Sequence, residues 1–287
     1  MASVHSPIRT IIKPLLFKLL GKTGYIYAQF YGKMRDIKHR LVEETEMELL
    51  ADLVKPGDAV IDIGANYAYY TDRLSSIVGD NGKVFAFEPI PFTYKVCAMI
   101  VKARKLRNAK LYNLGVSDKN QTLSFSIPKL SFGPISAGQA HISGRKHNEN
   151  EKSKYYNFDA EEEVTCEVIA LDDFLLDLNN KPLTFIKIDI EGAEYFALKG
   201  MEKLILKHKP ALLIEVQPYF LKGFNINESE FRRYINDTLG LEIFFYDATV
   251  KKLKPLQFDF FDSNFILIPG NKISAYQQLI YHEAYMD

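Results

Sequence analysis

The stretch VIDIGANYAYYT, residues 60–71, contains the strand and the turn that decide the fold. Apolar residues surround Asp62, which indicates a short buried strand. Gly64 follows where that run ends, and glycine allows a sharp turn and a close approach of a ligand to the backbone. A dinucleotide-binding fingerprint would have three glycines here, and this stretch has one. The pattern therefore predicts a ligand-binding turn of another kind.

From residue 55 onward, short apolar runs alternate with amphipathic stretches, the pattern of an α/β fold with a parallel sheet covered on both faces. The predicted strands are 59–65, 83–89, 109–116, 184–190, 211–216, 241–247 and 263–269. The predicted helices are 67–78, 91–106, 192–208 and 227–239. These runs place a single sheet-containing domain at residues 55–287.

Two further apolar runs, 122–128 and 163–174, are predicted to pair antiparallel on either side of an insertion at about 129–161. The insertion is rich in Gly, Ser, Asn, Lys and Glu. Long segments of this kind in compact domains are usually either functional or disordered. Two interpretations therefore stay open, a flexible solvated loop and a lid over a binding site.

The overall charge and the cysteine content restrict the class of protein. The 287 residues carry 36 Lys and Arg against 36 Asp and Glu, so no global charge attracts nucleic acid. A basic stripe with interleaved aromatic residues along the ligand edge is also missing, so we expect no nucleic-acid partner. The two cysteines form no metal or disulfide pattern, which fits a reducing compartment. No apolar run reaches the roughly 18 residues of a membrane span, and we expect a cytoplasmic protein.

Residues 1–54 are predicted to form a basic, largely helical extension. Residues 1–42 contain eight Lys or Arg and one Asp, a net charge of +7, which leaves −7 for the remainder. Apolar residues recur at helical spacing between residues 8 and 20, and Pro14 is predicted to lie in the first turn of that helix. This segment either packs against the domain or contacts an anionic membrane or a lipid-linked substrate.

Glu88 ends the second predicted strand, 26 positions after Asp62. In an open parallel sheet, ligands bind beyond the carboxyl ends of the strands, and an acidic residue there accepts hydrogen bonds from both ribose hydroxyls. A pyrophosphate needs more glycines at the turn, so a nucleoside with a compact amino-acid tail fits better. Asp62 is predicted to orient that tail, directly or through Gly64; the alternative is a buried Asp that holds the turn together.

A third motif, FIKIDIEGAEYFALKGM at 185–201, places acidic residues beyond another strand. Asp189 ends the strand, and Glu191 and Glu194 follow where the next helix begins. Acidic residues in a first helical turn are stabilised by the helix dipole, but Asp189 also lies at the mouth of the predicted cavity. Lys187, two positions earlier, has the same side-chain parity as Asp189. Glu215, in the apolar run LLIEV, is costly to bury unless it is paired, which marks it as a functional candidate.

The motifs VIDIGANYAYYT, VFAFEP, YNLGVSD, LDDF, FIKIDIEGAE and LLIEV, in this order and spacing, resemble the FkbM family of S-adenosylmethionine-dependent methyltransferases. The resemblance covers about residues 55–270, and IKIDIEGAE is its most specific part. It implies a class I methyltransferase fold, a Rossmann-like sheet of seven strands, mostly parallel with the last one antiparallel and with helices on both faces. It also implies S-adenosyl-L-methionine as cofactor and a hydroxyl of a sugar, glycan or secondary metabolite as acceptor.

The resemblance and the motifs together give a set of candidate site residues. The candidate cofactor-binding residues are Asp62, Gly64, Ala65, Asn66, Tyr67, Glu88, Ser117 and Asp189. Within this set, the resemblance implies that Glu88 binds the ribose hydroxyls and that Ser117 lies near the adenine. Tyr67 is predicted to form a wall of the cavity. The family often has a glycine where this chain has Ala68, and we expect the extra methyl to narrow the pocket without closing it.

An alcohol acceptor must lose its proton during methyl transfer, and a nearby carboxylate can take it. The candidate catalytic residues are Asp189, Glu191 and Glu215, with Glu194 close to them in sequence. His141 is expected to be a solvated loop residue and not the base. Oxygen ligands for Mg²⁺ are available, but we expect no required metal. Two other functions stay open: an NAD-dependent oxidoreductase, which the lone glycine disfavours, and a non-catalytic S-adenosylmethionine-binding module.

Overall fold

The computed structural model describes residues 7–129, 140–145 and 160–281. The described strands are β1 (Ala59–Ile63), β2 (Lys83–Phe87), β3 (Ala109–Tyr112), β4 (Gly115–Val116), β5 (Gln121–Lys129), β6 (His141–Ile142), β7 (Ala160–Ile169), β8 (Leu183–Ile188), β9 (Ala211–Val216), β10 (Leu241–Asp247), β11 (Lys252–Pro255) and β12 (Ser263–Pro269). The described α-helices are α1 (Pro7–Lys38), α2 (Leu50–Leu53), α3 (Tyr69–Val78), α4 (Pro91–Ala103), α5 (Glu194–Lys199), α6 (Glu202–His208), α7 (Pro218–Gly223) and α8 (Glu228–Arg233).

The central sheet has eight strands in the order β11-β10-β12-β9-β8-β1-β2-β3. The five neighbouring strands β9, β8, β1, β2 and β3 pair parallel with one another. β12 runs antiparallel between β9 and β10. Each of the seven predicted strands contributes to this sheet, and the last of them is an antiparallel one; the run predicted at 109–116 is divided, and its second part, β4, belongs to the small sheet. The predicted fold class is therefore confirmed. The additional edge strand, β11, pairs antiparallel with β10; its sequence KLKP is short and charged, which hid it from the apolar pattern.

Apolar residues fill both faces of the central strands. In β1, every residue is buried, with Ile61 and Ile63 in one core cluster and Val60 in another on the opposite face. Strands that are buried on both faces have continuous apolar sequences, and the predicted strands therefore match the observed ones closely. The charged residues Asp62 and Lys187 are the exceptions, because both lie within these buried strands. A buried charge in such a place needs a partner.

The helix predicted at 192–208 is divided into α5 and α6. At Gly200, between them, a Cβ atom would lie only 1.8 Å from the carbonyl oxygen of Ser117, so the two backbones are in direct contact. This contact was not visible in the sequence, because it depends on a loop that is distant along the chain. The helix predicted at 227–239 consists of α8 and a π-helical turn at Tyr234–Thr238.

A second, smaller sheet has the order β4-β7-β5-β6. In it β5 and β7 pair antiparallel over their whole length, from Gln121 opposite Val168 to Lys129 opposite Ala160, as the two runs predicted. Residues 140–145 of the insertion are described, and β6 adds to the edge of β5. The rest of the insertion, and with it the choice between loop and lid, lies outside the described residues.

The amino-terminal helix α1 is described from Pro7 and is kinked at Gly21, where φ is 64° and ψ is −179°. The prediction that Pro14 lies in a first turn was wrong, because Pro7 takes that position. α1 packs against α4, with the rings of Tyr25 and Phe92 stacked 6.0 Å apart. Within the described parts of the chain, none of the helices combines the length and the apolarity that crossing a bilayer requires.

Candidate active site

A groove opens where the carboxyl ends of β1, β2 and β8 face the small sheet. Its empty volume, counted to the open mouth, is about 420 Å³. The lining residues are Gly64, Asn66, Glu88, Pro89, Ile90, Phe125, Ala140, Asp189, Ile190 and Glu191. One part of the lining is thus apolar and another carries three carboxyl groups, which suits a ligand with a flat apolar part and several hydrogen-bond donors.

A second cleft, of about 660 Å³ to its open mouth, lies between the end of α1 and α3. Two ion pairs occupy its walls: Arg104 with Asp72 at 2.7 Å, and Arg40 with Glu43 at 3.4 Å. None of the predicted site residues lines this cleft. The groove at the strand ends is therefore the candidate active site.

The turn after β1 requires glycine at position 64. Gly64 has a φ of +77°, and a Cβ there would lie 1.9 Å from the carbonyl oxygen of Asp189. The turn therefore packs directly against the end of β8. Further along, Ala68 has a φ of +64° and is fully buried outside the groove lining. The expectation that its methyl narrows the pocket was wrong. The family glycine is replaced here by Ala68, and an alanine in this left-handed conformation is strained.

Glu88 lies at the end of β2 and is 5% exposed. Its Oε2 accepts a hydrogen bond from the Asn66 amide at 2.9 Å, and its Oε1 accepts one from the Ile90 amide at 3.0 Å. A carboxylate has about four acceptor sites, so each oxygen keeps one for a ligand. Burial raises the pKa of Glu88 to about 7, although the two amides oppose the shift. The backbone thus holds this carboxylate in a fixed orientation at the groove.

Asn66 provides a second polar group in the groove. It adopts a left-handed backbone conformation with φ +47°, which Asn tolerates better than most residues. Its side-chain Oδ1 is buried and has no hydrogen-bond partner among the described residues. A buried acceptor without a partner is costly. A ligand donor bound beside Glu88 would remove that cost.

Asp62 is fully buried beneath the turn and does not line the groove. Its Oδ2 accepts a hydrogen bond from the Thr71 hydroxyl at 2.6 Å, and its Oδ1 lies 3.7 Å from the Lys187 ammonium. Burial raises the pKa of Asp62, and both neighbours counteract this shift. The contacts support the structural alternative, an Asp that holds the turn together. Contact with a ligand stays a prediction.

Lys187 connects the ends of β1 and β8. Its ammonium donates to the carbonyl oxygen of Gly64 at 2.9 Å and lies 3.2 Å from Asp189 Oδ2. Burial by itself lowers the pKa of Lys187. The carboxylates of Asp189, Asp62 and Glu44 outweigh this effect and raise the pKa above its usual range. The lysine therefore stays charged. The shared parity of Lys187 and Asp189 was visible in the sequence, whereas the contact with Gly64 was not.

The remaining acidic residues surround Asp189. The carboxyl of Glu215 lies beside that of Asp189, and its Oε1 accepts a hydrogen bond from Gln217 Nε2 at 3.1 Å. Burial raises the pKa of Glu215 well above its usual value, and the charges of Asp189 and Glu191 add to that shift. Burial also raises the pKa of Glu191, which lines the groove. Several carboxyl groups with raised pKa values at one end of a groove are typical of a site for proton transfer.

Glu194 has a structural position in this cluster. Its Oε1 accepts hydrogen bonds from the amides of Ile190 and Gly192, both at 3.1 Å, and it is 1% exposed. Burial raises its pKa to about 7. It thus closes the turn that carries Glu191, and it does not line the groove.

The structure brings Gly64, Asn66, Glu88 and Asp189 together in the groove, and their roles in binding stay predictions. Three other candidate cofactor-binding residues are not part of the lining: Ala65, Tyr67 and Ser117. Ala65 and Tyr67 are buried in the core cluster that contains Tyr25 of α1, and Lys33 lies 4.4 Å above the Tyr67 ring. Ser117 is buried beside Gly200. These three residues match the sequence motif of the family, but they are packed beneath helices and do not reach the groove.

Sequence reasoning missed Arg145, which lies in the polar insertion and is 4% exposed. Its guanidinium donates to the carbonyl oxygen of Glu191 and stacks 3.9 Å from the centroid of the Phe220 ring. Burial lowers the pKa of Arg145 to about 10. His141 is also buried, at 2% exposure, so the expectation of a solvated histidine was wrong. Both are buried by contacts with elements distant in sequence, and the composition of the insertion gave no signal for that.

The acidic residues could in principle bind a metal ion. The described residues contain no group of three His, Cys, Asp or Glu side chains arranged to hold one. The acidic residues instead contact backbone amides, Lys187 and one another. The fit to a nucleoside ligand is better. Glu88 has free acceptor sites for a diol, Asn66 has a buried oxygen that needs a donor, and Phe125 supplies an apolar surface.

Comparison with known proteins gives concordant results. A family model described as the methyltransferase FkbM domain matches residues 62–242. The 2-O-methyltransferase NoeI of Sinorhizobium fredii (strain NBRC 101917 / NGR234) is 24% identical over 161 residues, 56% of this chain and 64% of that protein. Methyltransferase 1 of Beauveria bassiana (strain ARSEF 2860) is 24% identical over 155 residues, 51% of this chain and 60% of that protein.

The matched segments thus span less than two thirds of either curated relative. Among solved structures, a crystal structure of methyltransferase FkbM from Methylobacillus flagellatus KT is 14% identical with a TM-score of 0.44. The similarity covers 83% of this chain and 59% of that chain.

Proposed function

The chain belongs to the FkbM methyltransferase family, and on that basis we propose that it is an S-adenosyl-L-methionine-dependent O-methyltransferase. The acceptor is a hydroxyl group of a sugar, a glycan or another secondary metabolite. The observation that carries the proposal is the Glu88 carboxylate, held by two backbone amides at the end of β2 with acceptor sites facing the groove.

The groove residues suit the cofactor. Glu88 would hold the ribose hydroxyls, since it has one acceptor site left on each oxygen. The unsatisfied oxygen of Asn66 would accept a donor from the same ligand. Ile90 and Phe125 would pack against the adenine ring, because both line the apolar side of the groove. A pyrophosphate has no comparable place, since the carboxyl groups of the lining would repel it.

The cofactor, when bound, supplies a methyl group on a positively charged sulfur for in-line transfer. The residues of the chain must align the acceptor and take its proton. Asp189 is the base in this proposal, because its side chain is 33% exposed at the groove and pairs with Lys187. Glu215, whose carboxyl lies beside that of Asp189, positions this base. Glu191 lies on the same wall and completes the acceptor side.

An oxygen acceptor is supported by two observations. The relative from Sinorhizobium fredii is named as a 2-O-methyltransferase, and carboxylates on the acceptor side bind hydroxyl groups well because they accept hydrogen bonds. The family resemblance, which extends over most of the chain, adds sugars and secondary metabolites as the acceptor class. The groove is open at its mouth, which allows part of a larger glycan to remain outside.

Calorimetric titration of the purified full chain with S-adenosylhomocysteine, and separately with NAD, tests the cofactor. We expect binding of the first and none of the second. Turnover of S-adenosylmethionine with a panel of sugars, oligosaccharides and phenols then tests the acceptor. Binding without turnover on any acceptor would favour a non-catalytic binding module, and binding of NAD alone would overturn the proposal.

A further inference from the structure

Large apolar side chains of α1, the amino-terminal helix, are exposed both before and after the kink at Gly21. Leu15, Leu19 and Leu20 are 55%, 70% and 48% exposed, and Tyr27 and Tyr31 are 53% and 68% exposed. Exposed basic residues lie among them. The α1 outer face is defined here as Leu15, Lys18, Leu19, Leu20, Lys22, Tyr27, Tyr31, Arg35 and Lys38.

The opposite face of α1 attaches the helix to the domain. Phe17, Tyr25 and Phe30 belong to the core cluster that also contains α4 residues, and Phe17 contacts the Tyr25 ring edge-on at 5.4 Å. Residues 27, 31 and 35 are four positions apart, so they lie on one side of the helix, away from Tyr25. The fold therefore buries the inner face of α1 and leaves the outer face exposed, where the Tyr31 ring contacts Phe30 of the same helix at 5.0 Å.

The charge on the outer face has one sign. Between residues 15 and 38 the acidic residue is Asp36, which is 7% exposed and accepts a hydrogen bond from the Tyr69 hydroxyl at 3.3 Å. Lys18, Lys22, Arg35 and Lys38 are all exposed. The outer face is thus apolar and positively charged, while the chain outside residues 1–42 carries a net charge of −7.

We propose that the α1 outer face binds the surface of an anionic lipid bilayer. Leucines on an amphipathic helix enter the boundary between headgroups and acyl chains, and lysines on the same helix attract anionic headgroups. Tyrosines are favoured at that depth because one end of the ring is apolar and the other polar. A second copy of the chain is a poorer partner, since two faces of equal positive charge repel one another. Nucleic acid would satisfy the charges but not the exposed leucines.

The absence of tryptophan from the sequence allows a direct measurement. The variant Leu19→Trp places a single fluorophore on the outer face, and Leu175→Trp places one at a site that is 95% exposed elsewhere. With vesicles that contain phosphatidylserine, we expect a blue shift and rising emission for Leu19→Trp and no change for Leu175→Trp. Phosphatidylcholine vesicles should give little shift, and added salt should reverse the effect.

A charge-reversal pair tests the basic residues. We expect Lys18→Glu/Lys22→Glu to reduce sedimentation with anionic vesicles by about tenfold or more, because each basic residue near the surface contributes separately. The matched control is Lys203→Glu/Lys207→Glu, which reverses two exposed lysines on α6. All four positions are exposed, and thermal melts of each variant check that folding is unchanged.

Three results would overturn the proposal. The first is equal vesicle binding by the two double variants. The second is a Leu19→Trp blue shift that depends on protein concentration without vesicles, which would identify a second copy as the occupant. The third is binding of the outer face to an oligonucleotide with no response to vesicles.

Discussion

The ammonium of Lys187 lies 2.9 Å from the carbonyl oxygen of Gly64, and this contact joins the turn after β1 to the end of β8. The same ammonium lies 3.2 Å from Asp189 and 3.7 Å from Asp62. One buried cation thus fixes the turn on the cofactor side of the groove and a carboxylate on the acceptor side. The two halves of the proposed site share a single positioning residue.

Replacement of this cation should be strongly destabilising. Lys187→Met removes the ammonium that lies between the carboxylates of Asp62 and Asp189. Breaking a buried ion pair in this way costs about 3 kcal/mol or more in the free energy of unfolding. Urea unfolding measures the loss. The control Lys83→Met removes an ion pair with Asp177 at 2.8 Å at the surface, and we expect a clearly smaller effect there. Equal losses in the two variants would contradict the positioning role of Lys187.

Gly64→Ala should distort the groove. The new Cβ would meet the Asp189 carbonyl oxygen at 1.9 Å, so the turn or the strand end must move. We expect the variant to lose about 1–3 kcal/mol more stability than Gly240→Ala, as is usual for overpacking. Gly240 has a similar φ of +65°, but no described atom lies within 4 Å of its Cβ position. We also expect Gly64→Ala, but not Gly240→Ala, to bind S-adenosylhomocysteine more weakly. Equal stability and equal affinity of the two variants would disprove the close contact.

Binding of S-adenosylhomocysteine should depend on pH through Glu88. Its pKa is raised to about 7, so the carboxylate becomes protonated as the pH falls below 7 and loses acceptor sites for the ribose diol. We therefore expect the affinity to fall between pH 8 and pH 6, as measured by calorimetry. Glu88→Gln should weaken binding by about tenfold at pH 8 and remove this part of the pH dependence. An unchanged profile in that variant would show that another group is responsible; exposed Glu167→Gln is the control.

Glu215→Gln should slow transfer and leave cofactor affinity unchanged, since Glu215 contacts Asp189 and does not line the groove. Loss of a positioned base or its partner typically costs about 10²–10⁴-fold in rate. We expect the smaller part of that range for Glu215→Gln and the larger part for Asp189→Asn. Measurement of kcat and of the Kd for S-adenosylhomocysteine separates the two effects. Normal kcat in both variants would remove these residues from the mechanism.

Glu194→Gln should make the free protein more stable at alkaline pH. The folded-state pKa of about 7 lies above the reference value of 4.5, so the folded protein holds the proton more tightly and stability falls as the pH rises from 4.5 to 7. Glutamine keeps the single oxygen that accepts both amides. We expect a gain of about 1–3 kcal/mol at pH 8 and little change at pH 5 in urea unfolding. An equal effect at both pH values would show that the ionised form carries no penalty.

The candidate site could be predicted from the sequence where a residue's position follows from the end of a strand. Glu88 and Asp189 directly follow β2 and β8, and parallel strands bring their carboxyl ends to one edge. Ser117 and Tyr67 do not line the groove, because neither follows a strand of the large sheet at this edge, and their roles in cofactor binding stay predictions. Arg145 gave no signal at all, since its burial depends on Phe220, far away in the chain.

The fold class, the ranges of the main strands and the strand ends that form the groove were predictable from the sequence alone. Apolar runs and the lone glycine act over a few residues, and such local constraints are visible in the order of residues. The tertiary structure alone decided which carboxylates lie together, which lysine pairs with them and which residues of α1 stay exposed. Those properties depend on distances of a few ångströms between distant segments, and charge interactions and burial change steeply over such distances.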